Sequence, residues 1–185
     1  FNPLYEKLKM YFVTGGMPES VLMWTENKKV QKIQEALSNI LQSYEADFGK
    51  HPNVNEFPKI TLIFKSIPSQ LAKENKKFLF KVVKKGARAR EYEDALQWLV
   101  NGQLVHKIYR CNKPNLPIAA YDDLSAFKIY LSDVGLLRRL SQLDPSAFIE
   151  GNRLFTEFKG SLSENYVLQA LVNQFEVTQR YWSQK

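Results

Sequence analysis

The spacing of apolar residues changes at Gly102, and this change constrains the fold more than any other feature of the chain. Before Gly102 the apolar residues recur every three or four positions, which is typical of amphipathic helices. After it they alternate with polar residues, which is typical of half-buried strands. The predicted helices cover 4–12, 27–48, 58–67 and 90–101, with a shorter apolar segment after Pro18, and the predicted strands cover 104–110 and 126–131. The sequence therefore predicts a mainly α fold with a small β component.

Finer boundaries follow from residues that begin or interrupt helices. Thr25 precedes the helix of residues 27–48 and is its predicted N-cap. Pro68 is expected to end one helix and to start a separate, very short one. The apolar residues between 78 and 83 predict a brief strand. Asp133 is the predicted N-cap of a further helix.

Three helices followed by a hairpin with an irregular tip is the order of elements in a winged helix-turn-helix. We therefore predict a helical segment over residues 1–54 and a winged-helix domain over 55–145. Residues 146–185 predict the start of a third, truncated α/β element. Its strand-like end, at 175–182, has no predicted partner strand within the chain.

Residues 73–90 hold six lysines, two arginines and one acid, a net charge of +7 that equals the formal charge of the whole chain. Charge concentrated in this way indicates a partner of opposite charge, and in a winged helix that partner is expected to be duplex DNA. The predicted nucleic-acid-binding residues are Lys76, Lys77, Lys81, Lys84, Lys85, Arg88 and Arg90, with Lys107 and Arg110 on the wing.

The helix of residues 90–101 follows the basic residues and is itself acidic on its predicted outer face. Glu91, Glu93, Asp94 and Gln97 are its exposed candidates, and DNA phosphates repel such a face. Direct reading of bases by this helix is therefore not expected, whereas the cations before it can hold phosphates without reading sequence. Six such contacts would give a salt slope of roughly −5. Two other interpretations stay open, namely a surface that docks on an acidic protein patch and a solvated face.

Composition and motifs exclude several classes of function for this chain. No apolar run reaches about eighteen residues, so neither a membrane span nor a membrane partner is expected. The single Cys111 rules out an internal disulfide and favours the cytoplasm. His51 and His106 are too far apart in sequence to suggest zinc. Without a nucleophile–base pair, a phosphate loop or a metal cluster, we expect no catalysis, no cofactor and no metal site.

The acidic residues outside the basic segment have structural interpretations. Ser161 and Glu164 have the spacing of a capping box, which predicts that a helix begins at Ser161. Asp122 and Asp123 are predicted to be turn residues at the tip of the hairpin rather than metal ligands.

Segments along nearly the whole chain match one known family in their order and approximate spacing. They are GGMPESV at 15–21, SIPSQLAKENKKF at 66–78 with ALQWLVNGQLV at 95–105, FKIYLSDVGLL at 127–137, and LSENYVLQAL at 162–171. Together they resemble the C-terminal region of prokaryotic AAA-type ATPases that carry a DUF4143 domain. The chain has no G-x-x-x-x-G-K-[ST] motif, so the resemblance does not extend to the ATPase domain itself.

This resemblance implies a longer protein, with a P-loop domain that binds ATP and Mg²⁺ and a C-terminal domain similar to restriction endonucleases. Glu164 matches the helical acid of such nucleases and would be the lone catalytic candidate in the full-length protein. The implied function is a non-catalytic region of an AAA-type ATPase whose winged helix contacts DNA phosphates. The alternative is an intramolecular regulatory or homo-oligomerisation module that docks on the missing ATPase domain.

Overall fold

The structure, a computed structural model, describes residues 2–50, 55–73, 77–149 and 156–182. Helices form most of it, and one small mixed sheet completes it. The helices are α1 (Asn2–Thr14), α2 (Pro18–Asn27), α3 (Val30–Phe48), α4 (Phe57–Leu71), α5 (Phe80–Val83), α6 (Ala89–Asn101), α7 (Val134–Leu140), α8 (Ser146–Ile149) and α9 (Thr156–Gln174). The strands are β1 (Val105–Cys111), β2 (Asp122–Leu131) and β3 (Arg180–Tyr181). The predicted mainly α fold with a small β component is confirmed.

The N-terminal helices are separated by residues in the left-handed backbone region. Gly15 has a φ of +66° and ends α1, and Pro18 occupies the first turn of α2 as expected. Lys28, with a φ of 53°, ends α2, and α3 begins two residues later. The predicted N-cap at Thr25 is wrong, because Thr25 lies inside α2 and its hydroxyl donates to the carbonyl of Leu22.

Helix α4 continues through Pro68, so the separate short helix predicted there is wrong. A proline inside a helix removes one hydrogen bond and costs about 3 kcal/mol. The inner face of α4 outweighs this cost, because its apolar side chains are fully buried and each contributes about 1.5–3 kcal/mol. These side chains are Ile60, Ile63, Phe64, Ile67 and Leu71.

Residues 78–83 do not form the brief strand that was predicted for them. Phe80–Val83 forms a single helical turn, α5. The Phe78 amide donates to the Phe127 carbonyl of β2 at 2.8 Å, a backbone contact of the strand type. The side-chain amide of Gln70 both donates to and accepts from the backbone of Leu79, each at 3.0 Å. Helix α6 and its end at Gly102 are as predicted.

Strand β1 lies in the centre of the sheet, antiparallel to β2 and parallel to β3. Strand β2 begins at Asp122, so the prediction that Asp122 and Asp123 are turn residues is wrong. Each pairs with an arginine of another strand, Asp122 with Arg180 of β3 and Asp123 with Arg110 of the neighbouring β1. The prediction that the C-terminal strand lacks a partner is also wrong, since Arg180–Tyr181 pairs with β1.

Two helix N-caps were predicted after the sheet, and the structure confirms one and shows the other to be wrong. Asp133 caps α7 as predicted, since its carboxylate accepts from the Leu136 amide at 2.9 Å. Helix α9 begins at Thr156, so Ser161 lies within it and the predicted capping box is wrong. The Ser161 hydroxyl instead donates to the carbonyl of Leu71 at the end of α4, at 2.6 Å.

A single hydrophobic core runs from Val13 in α1 to Leu168 in α9. It includes residues from all three predicted segments, among them Leu37, Leu99 and Leu162. The division at residues 54 and 145 stays a prediction. Within the described ranges, none of the helices combines the length and the apolar character that a membrane crossing requires.

Candidate nucleic-acid interface

The basic segment, defined here as residues 77–90, connects α4 and α6 and contains no acidic residue. Lys81 lies on α5, Lys84 and Lys85 lie in the turn that follows, and Arg88 and Arg90 flank the start of α6. These five side chains are exposed, while Lys77 is half-buried. The predicted Lys76 lies outside the described residues, as does His51.

Aromatic residues fix the position of the basic segment on the sheet. The ring of Phe78 stacks on that of Phe127 in β2, with centroids 5.3 Å apart, and the Phe80 ring packs edge-on against Phe78 at 5.0 Å. Val83 is also buried. Because these apolar side chains point into the core, the lysines between them are left in water. The apolar residues within the segment are therefore its anchor, and the cations are its outer surface.

The five exposed cations of the basic segment are uncompensated. None of the five makes an ion pair or a side-chain hydrogen bond anywhere in the described part of the chain. Some lysines elsewhere are paired, since Lys32 lies 2.7 Å from Glu35 and Lys65 lies 2.8 Å from Glu45. Charge that is not neutralised locally is available to a partner.

The outer face of α6 is acidic, as the sequence predicted. Glu91, Glu93 and Asp94 are exposed, together with Gln97. The Glu91 carboxylate accepts a hydrogen bond from the Arg88 backbone amide at 3.3 Å, which satisfies one free donor at the start of the helix. The basic segment thus leads directly into an acidic helix, and the two form neighbouring surfaces of opposite charge.

The sheet holds the two predicted cations of the wing. The Lys107 ammonium lies 4.4 Å from the centre of the Phe127 ring and 4.9 Å from that of Tyr109. Arg110 pairs with Asp123. Burial lowers the pKa of His106, which therefore favours the neutral form. The structure places six of the predicted residues, five of them exposed, in the basic segment and these two on β1.

Glu164 connects α9 to the sheet. Its carboxylate accepts from the Lys128 ammonium at 2.7 Å and from the Tyr130 hydroxyl at 2.6 Å. Burial and this carboxylate raise the pKa of Tyr130, so its hydroxyl keeps the proton that it donates. Among the residues that the structure describes, no group of three His, Cys, Asp or Glu side chains is arranged to hold a metal ion.

The glycine pair 15–16 and the segments around 133 and 169 meet in a buried polar cluster that sequence reasoning missed. The Asp133 carboxylate accepts from the Gly16 amide at 2.7 Å and from the Gln169 side-chain amide at 3.1 Å. Arg138 is fully buried nearby and donates to the carbonyls of Val13 and Leu143. Burial lowers the pKa of Arg138 to about 10. The Gly-Gly pair signals a turn in the sequence, but nothing there indicates its distant partners.

Comparison with known protein families decides where this chain belongs. The sequence model of DUF8612, a domain of unknown function, matches residues 5–147. The chain belongs to the DUF8612 family. The matched part of this DUF8612 protein runs from α1 to α8 and includes the whole basic segment, while α9 and β3 follow it. No curated protein and no solved structure matches the chain.

This membership corrects the resemblance drawn from the sequence. The relation to DUF4143 and to AAA-type ATPases is wrong, because the matching family is DUF8612. The P-loop domain, the ATP and Mg²⁺ and the nuclease end, all implied by that resemblance, lose their support with it. The nuclease role of Glu164 had the same origin, and Glu164 contacts Lys128 and Tyr130.

Proposed function

We propose that the DUF8612 protein contains a winged helix-turn-helix that binds the phosphate backbone of duplex DNA without reading base sequence. The order of elements supports the winged-helix part of the proposal. Helices α4, α5 and α6 are followed by the antiparallel pair β1 and β2, and α4 packs against both α5 and α6. In such units the third helix and the hairpin are the elements that approach DNA.

The observation that carries the DNA-binding part is the set of five exposed cations between residues 81 and 90. No acidic residue interrupts the basic segment, and none of the five is paired in the described ranges. Each cation that contacts a phosphate releases a condensed counterion, which is the main source of non-specific affinity for DNA. The acidic face of α6 argues against base reading, because the phosphates on both sides of a DNA groove repel carboxylates that enter it.

Charge reversal tests this proposal. In a fluorescence anisotropy titration at about 50 mM salt, we expect the protein to bind two duplexes of unrelated sequence with similar affinity. Lys84→Glu combined with Lys85→Glu should weaken both by at least about tenfold, because two contacts are lost and two repulsive charges are added.

The matched control is Lys7→Glu combined with Lys29→Glu, which changes the net charge equally at two exposed positions, on α1 and just before α3. This control should bind nearly as well as the unchanged protein, since long-range charge is screened over about 14 Å at about 50 mM salt. Equal losses in both double variants would show a general charge effect, and no binding by the unchanged protein would refute the proposal.

A second candidate function is a regulatory or oligomerisation module that docks on another protein surface. The acidic outer face of α6, with Glu93 and Asp94 exposed, favours it because winged helices need no such face for phosphate binding. Sedimentation velocity over a range of concentrations separates the two. A dimer that dissociates on Glu93→Lys with Asp94→Lys supports docking, whereas a monomer throughout counts against oligomerisation.

A further inference from the structure

The wing tip, residues 112–121 between β1 and β2, has a defined conformation. Backbone hydrogen bonds join Asn112 to Tyr121 at 2.8 Å and Ala120 to Pro117 at 3.0 Å. The thiol of Cys111 donates to the carbonyl of Lys113 at 2.9 Å, which fastens the tip to the end of β1. These contacts fix the direction in which the tip presents its side chains.

The wing tip presents apolar side chains to water. Leu116 is 86% exposed and Ile118 is 41% exposed, with Pro117 between them. Leu116 is more exposed than any other large apolar residue in the described ranges. Contiguous apolar groups held at the end of a projecting hairpin are the kind of side chain that proteins insert between base pairs.

The wing can approach phosphates, whereas the acidic face of α6 is repelled. Lys113 carries the only charge in the tip sequence. The acids at its base are neutralised, because Asp122 pairs with Arg180 and Asp123 pairs with Arg110. Asn112 and Asn115 add amide groups that can bond to acceptors in the minor groove.

We propose that the wing tip enters the minor groove of duplex DNA and that Leu116 inserts between neighbouring base pairs. This inference rests on the proposed DNA binding and adds the element and the residue that touch the bases. The dimensions are compatible with one duplex. Phe127, where the basic segment is anchored, pairs with Tyr109, and Asp122 at the base of the tip pairs with Cys111. Tyr109 and Cys111 are two residues apart along β1, or about 7 Å at about 3.3 Å per residue. This separation is well within one helical turn of DNA, which is about 34 Å.

The test uses a duplex of about two helical turns with one 2-aminopurine in an A·T tract. The fluorescence of this base rises when it is unstacked, so we expect the unchanged protein to raise it several-fold on binding. Leu116→Ala should return the signal to that of the free duplex. Its affinity should fall by less than about tenfold, because the phosphate contacts remain.

Leu124→Ala is the matched control, since Leu124 is 70% exposed but lies in β2 rather than in the tip. This variant should keep the rise in fluorescence. A bound complex without a rise, or a rise that survives Leu116→Ala, overturns the wedge while phosphate binding stands. Failure of the unchanged protein to bind at about 50 mM salt overturns the proposed function and the wedge together.

Discussion

At the scale of single residues, the Asp133 side chain joins segments that are far apart in the sequence. It caps α7 and also accepts from the Gly16 amide, so one carboxylate joins the turn after α1 to the helix after the sheet. Gln169 of α9 donates to the same carboxylate and accepts from the Val134 amide. Removing such an acceptor leaves several buried donors without partners, which is more costly than the loss of one hydrogen bond.

We therefore expect Asp133→Ala to lower the free energy of unfolding by about 2–5 kcal/mol, since each orphaned buried donor costs about 1–3 kcal/mol. Urea denaturation measures this change. Asp144→Ala is the control, because Asp144 accepts from the Ser146 amide but is exposed, and its loss should cost about 1 kcal/mol or less. Equal effects of the two substitutions would contradict the importance given to Asp133.

Gly15 is required for the same cluster. Its φ of +66° disfavours any side chain, and an added Cβ would lie 2.2 Å from the Asp133 Oδ1 atom. Gly15→Ala should lower the free energy of unfolding by more than about 2 kcal/mol. The left-handed backbone costs an added side chain roughly 1–2 kcal/mol, and the clash with Asp133 adds to this cost. Gly49→Ala, at a helical φ of −66°, should change the unfolding midpoint little. A tolerated Gly15→Ala would show that the turn can open.

At the scale of elements, sequence patterns predicted helices and strands whose signals are local. The helical spacing of apolar residues was sufficient to predict α6, and the position of Asp133 was sufficient to predict where α7 begins. The failures arise where tertiary packing overrides a local signal. Pro68 stays helical because the inner face of α4 is buried, and Ser161 lies inside a helix because its hydroxyl bonds to Leu71. Neither contact can be seen from neighbouring residues in the sequence.

The base of the wing gives a pH dependence. Hydrogen bonds from Ser125 and then from Arg110 lower the pKa of Asp123 to about 2, below its ordinary value of 3.8. A carboxyl whose folded pKa is lowered stabilises the fold above the unfolded value and loses that contribution as pH falls toward the folded value. Between about pH 4 and pH 2, Asp123→Asn should therefore lose less thermal stability than the unchanged protein. Parallel stability curves for the two proteins would contradict this.

At the scale of the whole molecule, α9 and β3 lie beyond the DUF8612 match yet share its core. The side-chain amide of Asn165 in α9 donates to and accepts from the backbone of Leu131, at 3.0 and 2.9 Å. This helix therefore completes the hydrogen bonding at the end of β2. Such a contact between distant segments depends on geometry, so the sequence predicted the helix but not its place.

The candidate interface was predicted from the sequence only in part. Charge counting found the basic segment and the acidic face of α6, because surface charge depends little on packing. It could not separate the exposed cations from Lys107, which lies over aromatic rings, or from Arg110, which pairs with Asp123. The irregular tip of the hairpin was predicted but the exposure of Leu116 was not, since a loop rich in Pro and Asn does not reveal which of its side chains is exposed.

The salt dependence of DNA binding tests the central claim most directly. Five phosphate contacts predict that log K falls against log[salt] with a slope of about −4.5, at about 0.9 per contact. Lys84→Ala combined with Lys85→Ala removes two contacts and should reduce the magnitude of this slope by about 1.8. The account predicts this reduction on duplexes of any sequence. A slope that is unchanged in the double variant would contradict it, because the basic segment would then not be the part of the protein that holds DNA.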